Sequence, residues 1–262
     1  MGSDGSEFSE GAVREAIAWA RRHGCRLVAV CTAQVGLGQL EYAPEVVESL
    51  DRAAREACEA VGRRAAAEGV VCETVVHESE EPHRHIVAAA ERHGAQAIVV
   101  GRRGRRGLTK MLMGSVTALT IGHAPCGVFV VPRAGRLLGR RVLVATDGSA
   151  HSEKTAREAI ALAKRTGGTI VACAIAHGRV DTQMAQAYVD QVKALADAEG
   201  VAVEAVTGEG TPYVEILEAA RAQDADLVAI GSHGHTGLFQ LMMGSVADRV
   251  IRLTDRSVMV VR

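Results

Sequence analysis

Short apolar runs rich in β-branched residues alternate with longer stretches that mix Ala, Val and charge, most clearly from Arg141 onward. Residues 141–146 read as a strand. Ser149 or Ser152 then caps a helix running to about residue 166, stopped by Gly167 and Gly168. A strand follows at 169–176, a helix at about 181–199 with Gly200 behind it, and a strand at 201–206. Pro212 starts a helix to about residue 223, and 227–230 is the next strand. Ser245 opens a last helix and 257–261 is the last strand. Strands separated by helices of this length predict a parallel α/β sheet. Ligands in such sheets sit beyond the carboxyl ends of the strands, so the turn at Asp147 and the loop at Gly231 can face one pocket.

The pattern occurs twice. Asp4-Gly-Ser and Arg14-Glu-Ala-Ile-Ala18 return as Asp147-Gly-Ser and Arg157-Glu-Ala-Ile-Ala161, an offset of 143. Gly101-Arg-Arg-Gly104, nine residues, then Gly114-Ser115-Val116 returns as Gly231-Ser-His-Gly234, nine residues, then Gly244-Ser245-Val246, an offset of 130. A repeat this long means two copies of one domain. The division read from it is domain 1 at 1–133, a linker at 134–140 and domain 2 at 141–262. In the first copy, Met1, Gly2 and Ser3 align with Val144, Ala145 and Thr146, so most of the first strand is missing. The expectation is a natural chain that starts upstream; the rival is a degenerate first domain held up by the second.

Each glycine stretch follows a β-rich run, 97–100 or 227–230, and ends in Gly-Ser at a helix start. Glycine lets the backbone approach an anion, and a helix start offers N–H groups and a positive dipole end. The spacing is neither a P-loop nor a dinucleotide fingerprint, since no G-K-[ST] follows and no G-x-G-x-x-G opens a helix. The pattern G-x2-G-x9-G-S, with the Asp-Gly-Ser turn, resembles the adenine-nucleotide site of the universal stress protein family over essentially the whole chain. The resemblance implies two tandem Rossmann-like domains, each a mostly parallel five-stranded sheet flanked by helices, the first domain lacking most of its first strand. In that family the first strand is central, so its loss leaves a gap flanked by two unpaired edges.

The resemblance also implies ATP, accompanied by Mg or Mn, with AMP or cyclic AMP as alternative ligands. Asp147, flanked by Thr146 and Gly148, is expected near the ribose or a divalent ion, and Ile175 at the base. Gly231, His233 and Gly234 are expected along ribose and phosphates, with Gly244, Ser245 and Val246 closing on the phosphates. The matching set in copy one is Asp4, Thr32, Gly101, Gly104, Gly114, Ser115 and Val116. Arg102, Arg103, Arg105, Arg106 and Lys110 surround the first set, as added phosphate affinity or as a solvated, crowding loop. With the missing strand, this makes copy two the safer site. Domains of the family pair through their last strands, which implies pairing of 128–131 with 258–261 or a homodimer.

Composition narrows the classes further. Apolar residues make up 48% of 262, enough for cores without disulfides, and the six cysteines form no C-x2-C pair, as in a reducing cytoplasm. A net charge of −1 gives no case for a nucleic-acid partner, and no apolar run approaches a membrane span. No catalytic constellation stands out, so a stress-response binding module is the first reading. A nucleotide-independent dimerising scaffold is the second, and a slow ATPase or autophosphorylating protein the third. Simpler readings remain beside the site: Gly-Ser as a plain helix cap, and Asp4 and Asp147 as turn residues bonding local N–H groups. His83 and His85 read as solvated histidines rather than metal ligands, His233 and His235 as loop donors. Met111, Met113, Met242 and Met243 read as a core stripe under the loop.

Overall fold

The computed structural model describes residues 1–35, 43–104, 113–234 and 243–262, and the expectations at Arg105, Arg106, Lys110, Met111, His235 and Met242 lie outside them. The chain divides into two compact units, Met1–Gly135 and Arg136–Arg262. The second contains the complete pattern: β6 (Arg141–Ala145), α5 (Ala150–Thr166), β7 (Thr169–Ala176), α6 (Thr182–Ala198), β8 (Val203–Glu209), α7 (Pro212–Ala222), β9 (Leu227–Gly231), α8 (Ser245–Leu253) and β10 (Ser257–Val261). Its strands are all parallel, in the order β10-β9-β6-β7-β8. The central strands are continuous apolar runs because helices cover both faces; Val142, Leu143, Val144, Val228 and Ala229 are fully buried.

Local chemistry sets the boundaries. Ser149 caps α5 by accepting the Ser152 N–H at 3.2 Å, and Gly167 stops it at φ 66°. Asp181 caps α6 through the Met184 N–H at 2.8 Å. The stretch expected as a linker is drawn into the second unit from Arg136: Leu137 is 1% exposed, and the Arg136 carbonyl accepts from Ser257 Oγ at 2.6 Å. Asp226 closes this approach to β6. Its carboxylate accepts the N–H groups of Gly139 (2.8 Å), Arg140 (3.0 Å) and Arg141 (3.0 Å).

The first unit repeats the order with β1 (Gly2–Ser3), α1 (Glu10–His23), β2 (Leu27–Ala33), α2 (Pro44–Ala67), β3 (Cys72–Glu78), α3 (Pro82–Arg92), β4 (Ala97–Gly101), α4 (Ser115–His123) and β5 (Gly127–Val131). The expected gap is narrower than the sequence suggests. β1 is two residues long, yet it pairs with β2 at Gly2↔Val30 and Ser3↔Cys31. The Met1 amine donates to the Val28 carbonyl at 2.6 Å, and Val30 N–H donates to the Met1 carbonyl at 2.9 Å. β1 lies beside β4, but the ladders stay separate: β1-β2-β3, and β4 with β5. Two residues are too few to bridge both neighbours.

Among the described residues, no helix is long and apolar enough to cross a membrane, and no three His, Cys, Asp or Glu side chains gather to hold a metal. The two histidines of α3 go separate ways. His83 is not solvated as expected but 5% exposed, its ring 5.3 Å from that of His123, and burial pushes its pKa down. His85 stacks on His77 at 4.1 Å.

Asp226→Ala leaves three N–H groups at the start of β6 without their acceptor. It is expected to cost about 1–3 kcal/mol, read as a lower urea midpoint by circular dichroism. An unchanged midpoint would show that water replaces the carboxylate.

Candidate functional site

In both units the first strand ends in the Asp-Gly-Ser turn, and the two turns share one network. Thr146 Oγ1 meets Ser152 Oγ at 3.1 Å, and Ser3 Oγ meets Ser9 Oγ at 2.9 Å. Asp147 Oδ1 accepts the Ser149 N–H at 3.0 Å, while Asp4 Oδ1 accepts both N–H (3.0 Å) and hydroxyl (2.7 Å) of Ser6. The expectation that these carboxylates serve local N–H groups therefore describes one oxygen of each. The other oxygen lies against the glycine loop: a Cβ on Gly104 would overlap Asp4 Oδ2, and one on Gly234 would overlap Asp147 Oδ2. Turn and loop are thus in contact in each copy, and a larger residue there would have to displace the carboxylate.

The earlier glycines have a packing reason as well. A Cβ on Gly101 would stand 2.9 Å from the Phe8 carbonyl oxygen, and one on Gly231 3.0 Å from the His233 carbonyl oxygen. The loops return to their helices through backbone bonds, Gly114 N–H to Arg102 O at 2.9 Å and Gly244 N–H to Ser232 O at 2.8 Å. Gly114 and Gly244 are themselves the N-cap residues of α4 and α8, extended in conformation, and neither helix has a side-chain cap. Ser115 and Ser245 therefore sit at the first helical position, exposed, and are not capping serines. Among the described residues, no side chain caps the backbone N–H groups at either helix start, in contrast to α5 and α6.

A cavity of about 530 Å³ opens at the carboxyl ends of the strands in the first unit. All seven residues expected in copy one line it: Asp4, Thr32, Gly101, Gly104, Gly114, Ser115 and Val116. Leu50, Ala53 and Ala54 of α2 form an apolar side together with Ile86 of α3. Met113 lines the cavity rather than only underlying the loop, and Arg103 lines it with its guanidinium 4.1 Å over the Phe8 ring. The apolar contributors are invisible to motif reading. The only trace of Leu50 and Ala54 in the sequence is their i,i+4 spacing on one helix face.

The second unit brings Thr146, Asp147, Gly148, Gly231, His233, Gly234 and Gly244 to the equivalent end of its sheet, with Ile175 near the end of β7. His233 Nδ1 lies 2.9 Å from Ser232 Oγ, and its buried Nε2 has no hydrogen-bond partner among the described residues. Here α6 adds something the first copy lacks. The Tyr188 ring lies so close to Gly148 that a Cβ there would overlap it. Counted from the glycines behind the two helices, Gly69 and Gly200, Tyr188 stands where the first copy has Ala57. The buried positions agree with that alignment: Ala54, Cys58, Val61 and Ala65 match Ala185, Val189, Val192 and Ala196.

Comparison with known proteins bears on the whole chain. The model of the universal stress protein family matches residues 1–132 and 139–262. A universal stress protein of Mycolicibacterium smegmatis is 28% identical over 290 aligned positions, covering 100% of this chain and 96% of that one. One from Methanocaldococcus jannaschii is 32% identical over 146 residues, 50% of this chain and 86% of the relative. The crystal structure of a universal stress protein from Archaeoglobus fulgidus superposes with a TM-score of 0.76 at 23% identity, over 97% of this chain and 95% of that one. With both copies matched, the chain belongs to the universal stress protein family as a tandem two-domain member.

Proposed function

We propose that this chain binds an adenine nucleotide, ATP foremost, in the cavity of its first unit and acts as a stress-response regulatory module through the occupancy of that site. The observation that carries the reading is the convergence of the seven expected residues on one cavity of about 530 Å³. That volume falls within the roughly 300–1,000 Å³ of small-molecule pockets. No aromatic ring is among the described residues that line it, so Leu50, Ala53, Ala54 and Ile86 would hold the base by aliphatic contact. The N–H groups at the start of α4, the Ser115 hydroxyl and Arg103 would take the phosphates. Asp4 would serve a ribose hydroxyl or, with Mg or Mn, bridge to the phosphates; AMP or cyclic AMP would use the same base and ribose contacts. Binding would stabilise the unit by mass action, by about 2.7 kcal/mol at a hundredfold excess over Kd.

A second reading applies to the second unit. Tyr188 against the Asp-Gly-Ser turn favours a domain that serves without nucleotide, as a scaffold. Thr146, Asp147, Gly148, Ile175, Gly231, His233, Gly234, Gly244, Ser245 and Val246 would then form a site that Tyr188 keeps closed.

Denaturing the purified protein and weighing the released small molecules is expected to yield one adenine nucleotide per chain. An empty protein without a thermal shift on adding ATP and magnesium would overturn the first reading and leave the scaffold. Gly104→Val, which drives a side chain into the Asp4 carboxylate, is expected to weaken ATP at least about tenfold, or 1.4 kcal/mol, by titration calorimetry. Tyr188→Ala is expected to raise the stoichiometry from one to two; an unchanged value would show that the second site is closed by something else.

A further inference from the structure

Among the described residues that line the cavity of the first unit, Arg103 is the one cation and Asp4 the one anion. Arg103 stands at the start of α4: a Cβ on Gly114, the N-cap residue, would lie 3.2 Å from the Arg103 Cα. Its guanidinium lies 4.1 Å over the ring of Phe8. Phe8 is half-buried and is not among the described lining residues, so it bears on a ligand through Arg103 rather than by contact. The turn fixes the place of the ring. Ser9, next in the chain and buried, has its hydroxyl 2.9 Å from Ser3 Oγ and 2.9 Å from the Ser6 carbonyl oxygen. On the other side, the Phe8 carbonyl oxygen lies against Gly101. The second copy holds the same junction with other chemistry. By the offsets of 143 and 130, Phe8 and Arg103 match His151 and His233, whose rings are 5.7 Å apart. Both members of the contact differ together, and at this junction the permanent cation belongs to the first copy.

We propose that Phe8 is a positioning residue that holds Arg103 at the start of α4, and that the pair makes the first unit select nucleotides by phosphate chain, triphosphate over monophosphate. The selection rests on the nucleotide reading of the cavity given above. An arginine on a loop loses rotamer freedom when a ligand immobilises it, and stacking on a ring takes that loss before the ligand arrives. The ring also holds the guanidinium without bringing a negative charge to it, as a carboxylate would. Arginine stays charged at any working pH, and its N–H donors form a fork that suits phosphate oxygens. A cation held in one place favours the ligand that brings more phosphate oxygens to it, and a triphosphate brings more than a monophosphate. Base and ribose contacts are the same for both, so the difference between them falls on the phosphate end.

The experiment is titration calorimetry of the full chain with ATP and with AMP, each in excess magnesium, at about pH 8, where an ordinary histidine is neutral. The unchanged chain is expected to bind ATP at least about tenfold more tightly than AMP. Arg103→His, which installs the residue of the second copy, is expected to weaken ATP about tenfold and AMP less than about twofold. Phe8→Leu keeps an apolar side chain but removes the ring, and is expected to weaken ATP about threefold with AMP unchanged. Phe8→Tyr keeps the ring face and is expected to retain the preference. In the Arg103→His background, Phe8→Leu is expected to add no further loss, because the ring acts through the guanidinium. Circular dichroism checks that each variant folds. Equal loss of ATP and AMP in Phe8→Leu would assign the ring a structural role and overturn the positioning. So would a further loss of ATP when Phe8→Leu is added to Arg103→His. Equal binding of ATP and AMP by the unchanged chain would overturn the selection while nucleotide binding stands. A folded chain that binds neither would overturn the nucleotide reading, and the selection with it.

Discussion

Each site depends on a carboxylate oxygen lying against a glycine. Asp4 on Gly104 and Asp147 on Gly234 bring the end of the first strand onto the loop that leaves the fourth. Two carboxyl ends of a parallel sheet become one surface at that contact, and a Cβ there would have to displace the carboxylate. The same aspartates stay oriented because their other oxygen accepts an N–H two residues on. The loop is then returned to its helix by the backbone bonds of Gly114 and Gly244, which leaves the helix starts facing the same surface. Glycine is required here first by packing; its openness toward an anion follows from the same absence of a side chain.

On this common frame the two copies differ through their second helix. In the first unit α2 presents Leu50, Ala53 and Ala54, small enough or far enough back to leave a cavity. In the second, α6 presents Tyr188 to the glycine of the turn. Both helices bury the same four positions, and Tyr188 stands where the first copy has Ala57. The unit whose cavity is described is the one with the two-residue first strand and with Arg103 beside its glycines. The shortening matters less than the sequence suggests because Met1 to Ser3 still supply the bonds to β2 nearest the site, where the turn begins.

Periodicity and punctuation were enough for the architecture. The strands at 169–176 and 257–261 have the bounds that the apolar runs mark, and Gly167 and Gly200 lie just past helices as expected. The third strand of the second unit runs to Glu209, not 206, because an edge strand continues through exposed polar positions that alternation marks poorly. The repeat, the family and the seven residues around the cavity were likewise legible, since glycine spacing and the Asp-Gly-Ser turn are local signals.

Contacts between distant segments were not. His83 reads as solvated beside Pro82, yet packing against α4 buries it. Nothing local to a motif shows that Tyr188, 41 residues after Asp147, lies against the turn or that Leu50 and Ala54 wall the cavity. The sequence by itself determined the two α/β domains, their family and the polar ends of each site, because hydrophobic period, caps and glycines act over a few residues. The tertiary structure decided which apolar side chains wall the cavity and which ring lies against the second turn, because those follow from helix-on-sheet packing, which no local pattern encodes.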